Sequence, residues 1–295
     1  MTLGGLITAM VTPFDKDNTI NWQATEKLID HLINKQVSGL FILGTNGEFH
    51  VMTKEEKLDF AKYVVSYTNK RVPVYVGVGG NDTNEVISLA KDMESIGADA
   101  LSVIAPYFVK LKEEELYEHF KAIAINVTIP VILYNMPGLT GNPLSPTLVK
   151  KLADITNILG IKDSSGNIDN IKSYIDETKE KDFKVLSGSD SLILNALKLG
   201  AAGAVAATSN VLTDIDVAIV REYQAGNLEK AQDYQNSIEE FRRILKYGSI
   251  PSVLKYALTY VGHDVGEARR PVLPVLDEYQ QDIKDVLDNY FKEEN

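Results

Sequence analysis

The sequence predicts an α/β fold, a closed (β/α)8 TIM barrel carrying a C-terminal helical extension, and three observations support it. Eight short runs rich in Val, Ile and Leu recur along the chain, their starts lie about 20 to 33 residues apart, and each gap holds a polar–apolar helical pattern. The runs are nearly continuous rather than alternating, so both faces of each strand should be buried, as in a parallel sheet covered by helices. Eight consecutive βα units favour closure into a barrel over an open doubly wound sheet. The open sheet would also require a GxGxxG turn after its first strand, where the chain reads Val11-Thr12-Pro13-Phe14.

In order, the runs are LITAMV from Leu6, GLFILG from Gly39, VPVYVGVG from Val72 and ADALSVIA from Ala98, then IPVILYN from Ile129, ILGIKDS from Ile158, FKVLSGS from Phe183 and AGAVAAT from Ala202. Between them, Lys54 to Tyr67, Asn84 to Ile96 and Glu113 to Ile125 read as amphipathic helices. Gly97 and Gly200 mark the ends of two helices just before the next strand. After the eighth unit, the patterns Leu228 to Tyr247, Val253 to Val261 and Val275 to Phe291 predict further helices. The barrel is therefore expected over residues 1–225, with 226–295 as an extension of the same structural unit.

A chain of 295 residues can bury about three quarters of its surface, and 44% hydrophobic content is too high for disorder. The formal charge of −11 argues against nucleic-acid binding, which needs clustered positive charge. The chain has no Cys, which removes disulfides, thiolate metal sites and a cysteine nucleophile together. No basic residue precedes Lys16, so the apolar start lacks the charged beginning of a secretory signal. Ala122 to Val149 carries no charge, but Pro130, Pro137, Pro143 and Pro146 break it, so it reads as strand, turn and helix start rather than a membrane span. A cytoplasmic protein is expected.

In such barrels chemistry gathers at the C-terminal ends of the strands. The second strand delivers Gly44-Thr45-Asn46-Gly47-Glu48, the fourth Pro106-Tyr107-Phe108, the fifth Tyr134-Asn135-Met136-Pro137, the sixth Lys162-Asp163-Ser164 and the seventh Gly188-Ser189-Asp190. Lys162 follows the apolar Ile158-Leu159-Gly160-Ile161, so its stem should lie in the barrel mouth, where an ammonium is costly unless paired or deprotonated. A free amine there can attack a keto carbon and form a Schiff base. The plainer alternative is a strand-end lysine paired with Asp163 or a nearby carboxylate. Tyr134 on the neighbouring strand can shuttle a proton and Thr45 can hydrogen-bond to its phenol, although a tyrosine there can also be a packed aromatic. The two glycines of GTNGE allow backbone N–H groups to hold a carboxylate, although a tight strand-to-helix connection without a ligand reads the same way. Ser164 and Asp190 can bind substrate hydroxyls or cap helices.

Other chemistries fit less well. The four His, at 31, 50, 119 and 263, show no HxH, HxxxH or HExxH spacing, and solvated helix faces account for His31 and His119. No GxxxxGK[ST] occurs. Phe60, Tyr63 and Tyr67 read as core contacts, and Arg269 and Arg270 as surface or interface charges.

The segments TAMVTPF, GTNGE, YNMPGLTG, GIKDSSGN and LSGSD to GAAGAVAATSN resemble the dihydrodipicolinate synthase and N-acetylneuraminate lyase family along essentially the whole chain. The resemblance implies a barrel, a class I aldolase without metal or separate cofactor, a small 2-keto acid as substrate and a homotetramer. It implies that Lys162 forms the Schiff base and Tyr134 shuttles the proton. It also places Thr45 in the hydroxyl relay, and the Thr45 and Asn46 amides, beside Gly47, on the keto-acid carboxylate. Two departures bear on the reaction. The synthases carry an Arg beside the Thr-Gly pair, where Leu139 stands here, and a second tyrosine where Phe108 stands. A bidentate cation is not replaced by an isobutyl group. PGLTG is closer to the pattern of sialate lyases and 2-keto-3-deoxygluconate aldolases, and Ser191 stands where a sialate lyase would have an acidic residue. A 2-keto-3-deoxy sugar acid is therefore the expected substrate, with dihydrodipicolinate synthesis, sialate cleavage or non-catalytic keto-acid binding as alternatives.

Overall fold

The structure, a computed structural model, describes residues 3–291. All eight apolar runs form strands, joined side by side in chain order and all parallel. They are β1 (Gly5–Ala9), β2 (Gly39–Ile42), β3 (Val74–Val78), β4 (Ala100–Ile104), β5 (Val131–Asn135), β6 (Ile158–Asp163), β7 (Lys184–Ser187) and β8 (Gly203–Ala206). The barrel closes where β8 returns to β1, with Ala204 beside Leu6 and Ala206 beside Thr8.

The helices start where local chemistry supplies partners for free N–H groups. Asn21 caps Trp22–Asn34, Thr53 and Glu56 form a reciprocal capping box on Lys54–Thr68, and Asp82 accepts from two amides of Thr83–Ile96. Gly97 ends that last helix in the left-handed region, with φ 95°. The uncharged stretch resolves into β5 and two short helices, Pro137–Thr140 and Pro146–Leu152, each opening on a proline. Among the described residues no helix is long and apolar enough to cross a membrane.

Two apolar compartments result. The larger lies between the strands and the helical ring. The smaller fills the barrel with Ile7, Phe41, Tyr75, Ile132, Leu186 and Val205. The extension adds Leu228–Ser237, Glu239–Ile244, Ser252–Tyr260 and Asp277–Phe291, which bury Phe241, Ile244, Leu258, Ile283 and Leu287. The pattern expected as one helix over Leu228 to Tyr247 breaks at Ile238.

Two readings of helix faces need correction. His119 is 5% exposed rather than solvated, because its helix Glu113–Ala124 turns that face toward Thr83, whose hydroxyl lies 2.9 Å from Nδ1. Phe60 is core and Tyr67 packs against the core half-buried, its hydroxyl donating to Asp30, whereas Tyr63 is half-buried and reaches across to Glu26 on the neighbouring helix.

Candidate active site

β5 and β6 are paired so that Tyr134 lies beside Lys162 and Asn135 beside Asp163. With a side-chain period of two, Tyr134 and Lys162 turn into the barrel while Asn135 and Asp163 turn away. On the outer side Asn135 Nδ2 and Ser165 Oγ each donate to Asp163, both at 2.6 Å. Burial pushes the Asp163 carboxyl above its ordinary range, opposed by those same bonds. The strand-end pair between Lys162 and Asp163 therefore does not form.

Lys162 is 5% exposed and stands at the top of the packed interior. Its Nζ lies 3.9 Å from the centre of the Tyr134 ring and 4.7 Å from that of Phe41, and among the described residues no carboxylate forms an ion pair with it. Gly188 on the β7 loop leaves room for the lysine stem. A Cβ there would come 2.1 Å from Ser164 Oγ and 2.9 Å from Lys162 Cε. The Tyr134 hydroxyl is 3.2 Å from Thr45 Oγ1. Burial alone would raise the phenol's pKa, but the Lys162 charge and the polar contacts of Thr45, Lys162 and Ser164 outweigh it, and the net effect is downward. The pair joins a primary amine to a phenol poised for proton transfer, which is suited to carbonyl addition and acid–base work.

These groups open on a cavity of about 480 Å³, lined by Thr45, Asn46, Tyr134, Lys162, Ser164 and Asp190 among others. Six of the seven residues singled out from sequence thus meet in one place. Gly47 does not. It sits against the Leu43 backbone, and its carbonyl accepts from Thr12 Oγ1 at 2.7 Å, so it shapes the turn rather than facing the cavity. No acceptor among the described residues takes the Thr45 or Asn46 amide, which leaves both for a ligand. Ser164 Oγ donates to the Gly188 carbonyl at 3.2 Å. Asp190 has one oxygen on the Ala207 amide at 2.9 Å, and burial raises its pKa, so it ties two loops together as well as lining the wall.

Part of the cavity lining was not anticipated. Arg242, Lys246, Ser249, Val253 and Leu254 supply it, all from the helical extension. No local signal marks them, since the extension follows the last barrel strand and its docking is a long-range event. Arg269 is also corrected. Its side chain is 11% exposed and its guanidinium grips Glu56, so it is an internal strut, whereas Arg270 is exposed as expected.

A closed parallel barrel with an amine and a phenol converging on its mouth defines a carbon–carbon lyase of the aldolase type. The chain belongs to the dihydrodipicolinate synthetase family, whose model matches residues 2–290. It is 38% identical over 290 residues to the 4-hydroxy-tetrahydrodipicolinate synthase of Oceanobacillus iheyensis, covering 98% of each chain. A crystal structure of dihydrodipicolinate synthase from Bacillus anthracis superposes with a TM-score of 0.94 at 38% identity, covering 97% of each chain. A prophage protein of the same family from E. coli K12, solved in complex with pyruvate, matches with a TM-score of 0.94 at 34% identity, over 98% of this chain and 99% of that one. The family uses pyruvate through a lysine Schiff base, with no metal or external cofactor. These relatives give no support to placing the chain nearer the sugar-acid aldolases than the synthases.

Proposed function

We propose that Lys162 forms a Schiff base with the C2 keto carbon of pyruvate or a related 2-keto acid, and that the enzyme reversibly cleaves a 2-keto-3-deoxy sugar acid. The observation that carries the first half is the Lys162 amine, without a carboxylate partner among the described residues, lining a cavity of about 480 Å³ beside the Tyr134–Thr45 pair. The second half rests on the rim. Ser189, Ser191, Ser249 and Asp190 offer donors and acceptors to a hydroxylated tail, while Leu139 points to solvent and supplies no cation.

The Thr45 and Asn46 amides hold the substrate carboxylate while the free amine of Lys162 adds to C2. Loss of water leaves an iminium, which serves as the electron sink. The Tyr134 phenolate takes the proton from the C4 hydroxyl, the C3–C4 bond breaks, its electrons move toward the iminium, and an aldehyde departs. The pyruvate enamine left behind is protonated at C3 and hydrolysed, which frees pyruvate and Lys162. A homotetramer acting in the cytoplasm completes the reading, and the Phe108 ring, 94% exposed at the tip of the loop after β4, supports a rim covered by another subunit.

A second reading, condensation of pyruvate with aspartate semialdehyde, is favoured by the names of the relatives. Borohydride reduction with pyruvate, followed by intact mass, tests the adduct, which Lys162→Ala is expected to abolish. A panel of 2-keto-3-deoxy acids assayed for pyruvate release, run beside pyruvate with aspartate semialdehyde, decides between the reactions. Turnover of the semialdehyde alone would refute the sugar-acid reading, and an adduct without turnover of either would refute both.

A further inference from the structure

A second buried lysine lies behind the loop that follows β2, and the chemistry above does not use it. Lys255, on helix Ser252–Tyr260, is 0% exposed, and its Nζ is 2.7 Å from Glu48 Oε1. It also donates to the Glu267 carbonyl at 3.0 Å and lies 4.3 Å from the centre of the Phe14 ring. The Arg269 backbone N–H donates to the other Glu48 oxygen at 2.8 Å. Both oxygens of Glu48 are therefore held by the C-terminal extension, across more than two hundred residues of sequence.

Glu48 directly follows Thr45-Asn46-Gly47 and is itself 1% exposed, with a left-handed backbone at φ 58°. A residue other than glycine keeps that conformation when its surroundings hold it there. Its amide donates to the Thr45 carbonyl at 3.2 Å, so the turn that presents the free amides is closed on the residue the extension grips. A buried ion pair is weak evidence for stability, since apolar residues of similar volume often serve as well. What this pair does supply is one fixed position for the Glu48 backbone.

We propose that Lys255 and Glu48 are positioning residues for the keto-acid carboxylate, so that the extension sets the geometry of the Thr45–Glu48 turn and through it the affinity for pyruvate. Bond cleavage itself belongs to Lys162 and Tyr134. The inference rests on the assignment of the Lys162 cavity as the pyruvate site.

Borohydride trapping of the full chain over a range of pyruvate concentrations separates affinity, read as the half-saturating pyruvate, from the limiting rate of adduct formation. In Glu48→Gln/Lys255→Met both charges go together, so that no buried charge is left unpaired. Glu48→Asp keeps both charges and shortens the arm by one methylene, as a second variant should the first not fold. The expected result in each folded variant is a rise of about fivefold or more in half-saturating pyruvate, with the limiting rate kept within about threefold. A smaller rise, or a loss confined to the limiting rate, overturns the inference. Failure of the parent protein to form any adduct overturns the pyruvate-site assignment itself, so the two failures are distinguishable.

Discussion

Replacing Tyr134 with Phe removes one oxygen from the cavity and keeps the ring against which Lys162 packs. The main stability cost is the hydrogen bond to Thr45 at 3.2 Å, which is worth about 1 kcal/mol. In a chain of this size that lowers Tm by about 2–4 °C. Loss of a general base costs about 10²- to 10⁴-fold in rate, or about 3 to 5 kcal/mol of transition-state stabilisation. The catalytic loss is thus the larger and will be seen in folded protein. Pyruvate release is followed through NADH oxidation by lactate dehydrogenase, and adduct formation through borohydride and intact mass. The variant should keep the adduct and lose turnover. Because the phenol's pKa is held below its ordinary 10 and the base acts deprotonated, parental activity should rise with pH through a limb below pH 10 that the variant lacks. A variant with turnover within about tenfold of the parent, or with that limb intact, would refute the role given to Tyr134.

Two further outcomes follow from close packing and burial. Gly188→Ala forces a methyl against Ser164 Oγ and Lys162 Cε. Adduct formation with pyruvate should slow by about tenfold or more, since displacements of about 1 Å in a reacting group are costly, and trapping at the parental rate would sink the packing argument. His119 is held near pKa 4 by burial, and its Nε2 has no partner among the described residues. The unfolded chain takes up this proton near pH 6.5 and the folded chain near 4, so the unfolded state binds more protons in that window and stability falls as the pH drops through it. From pH 7 to 5 the loss is about 2 kcal/mol. In urea unfolding His119→Leu should lose correspondingly less stability over that interval, and an equal loss in both proteins would contradict the assignment.

The barrel was legible because its signals are local. Continuous apolar runs state that both strand faces are covered, and their number and spacing leave few ways to arrange them. The same period of two, together with a strand-end position, sends Tyr134 and Lys162 inward as neighbours. The failures involve residues whose surroundings come from far along the chain. His119 lies on a helix whose polar face meets Thr83 rather than water, and Arg269 meets Glu56 across 213 residues. Periodicity reports which way a side chain points, but not which element arrives to cover it. For that reason the part of the cavity lining supplied by Arg242, Lys246 and their neighbours on the extension left no mark in the sequence.

The two buried lysines show why burial alone does not identify a nucleophile. Lys162 and Lys255 both sit among apolar residues, both lie near the turn after β2 or the tyrosine that turn contacts, and both have an aromatic ring under the amine. Their partners separate them. Lys255 is fully buried with the Glu48 carboxylate and the Glu267 carbonyl, so its charge is answered and its position fixed. Lys162 has ring faces, a phenol alongside and an open cavity, and among the described residues no carboxylate answers it. An amine placed in that way is available to a carbonyl carbon, whereas the other is held in place and can act only through the residues it fixes. The division of labour follows from where the acidic residues went. Asp163, the carboxylate next to Lys162 in sequence, is turned outward by the strand and taken up by Asn135 and Ser165, so it does not pair with the catalytic candidate.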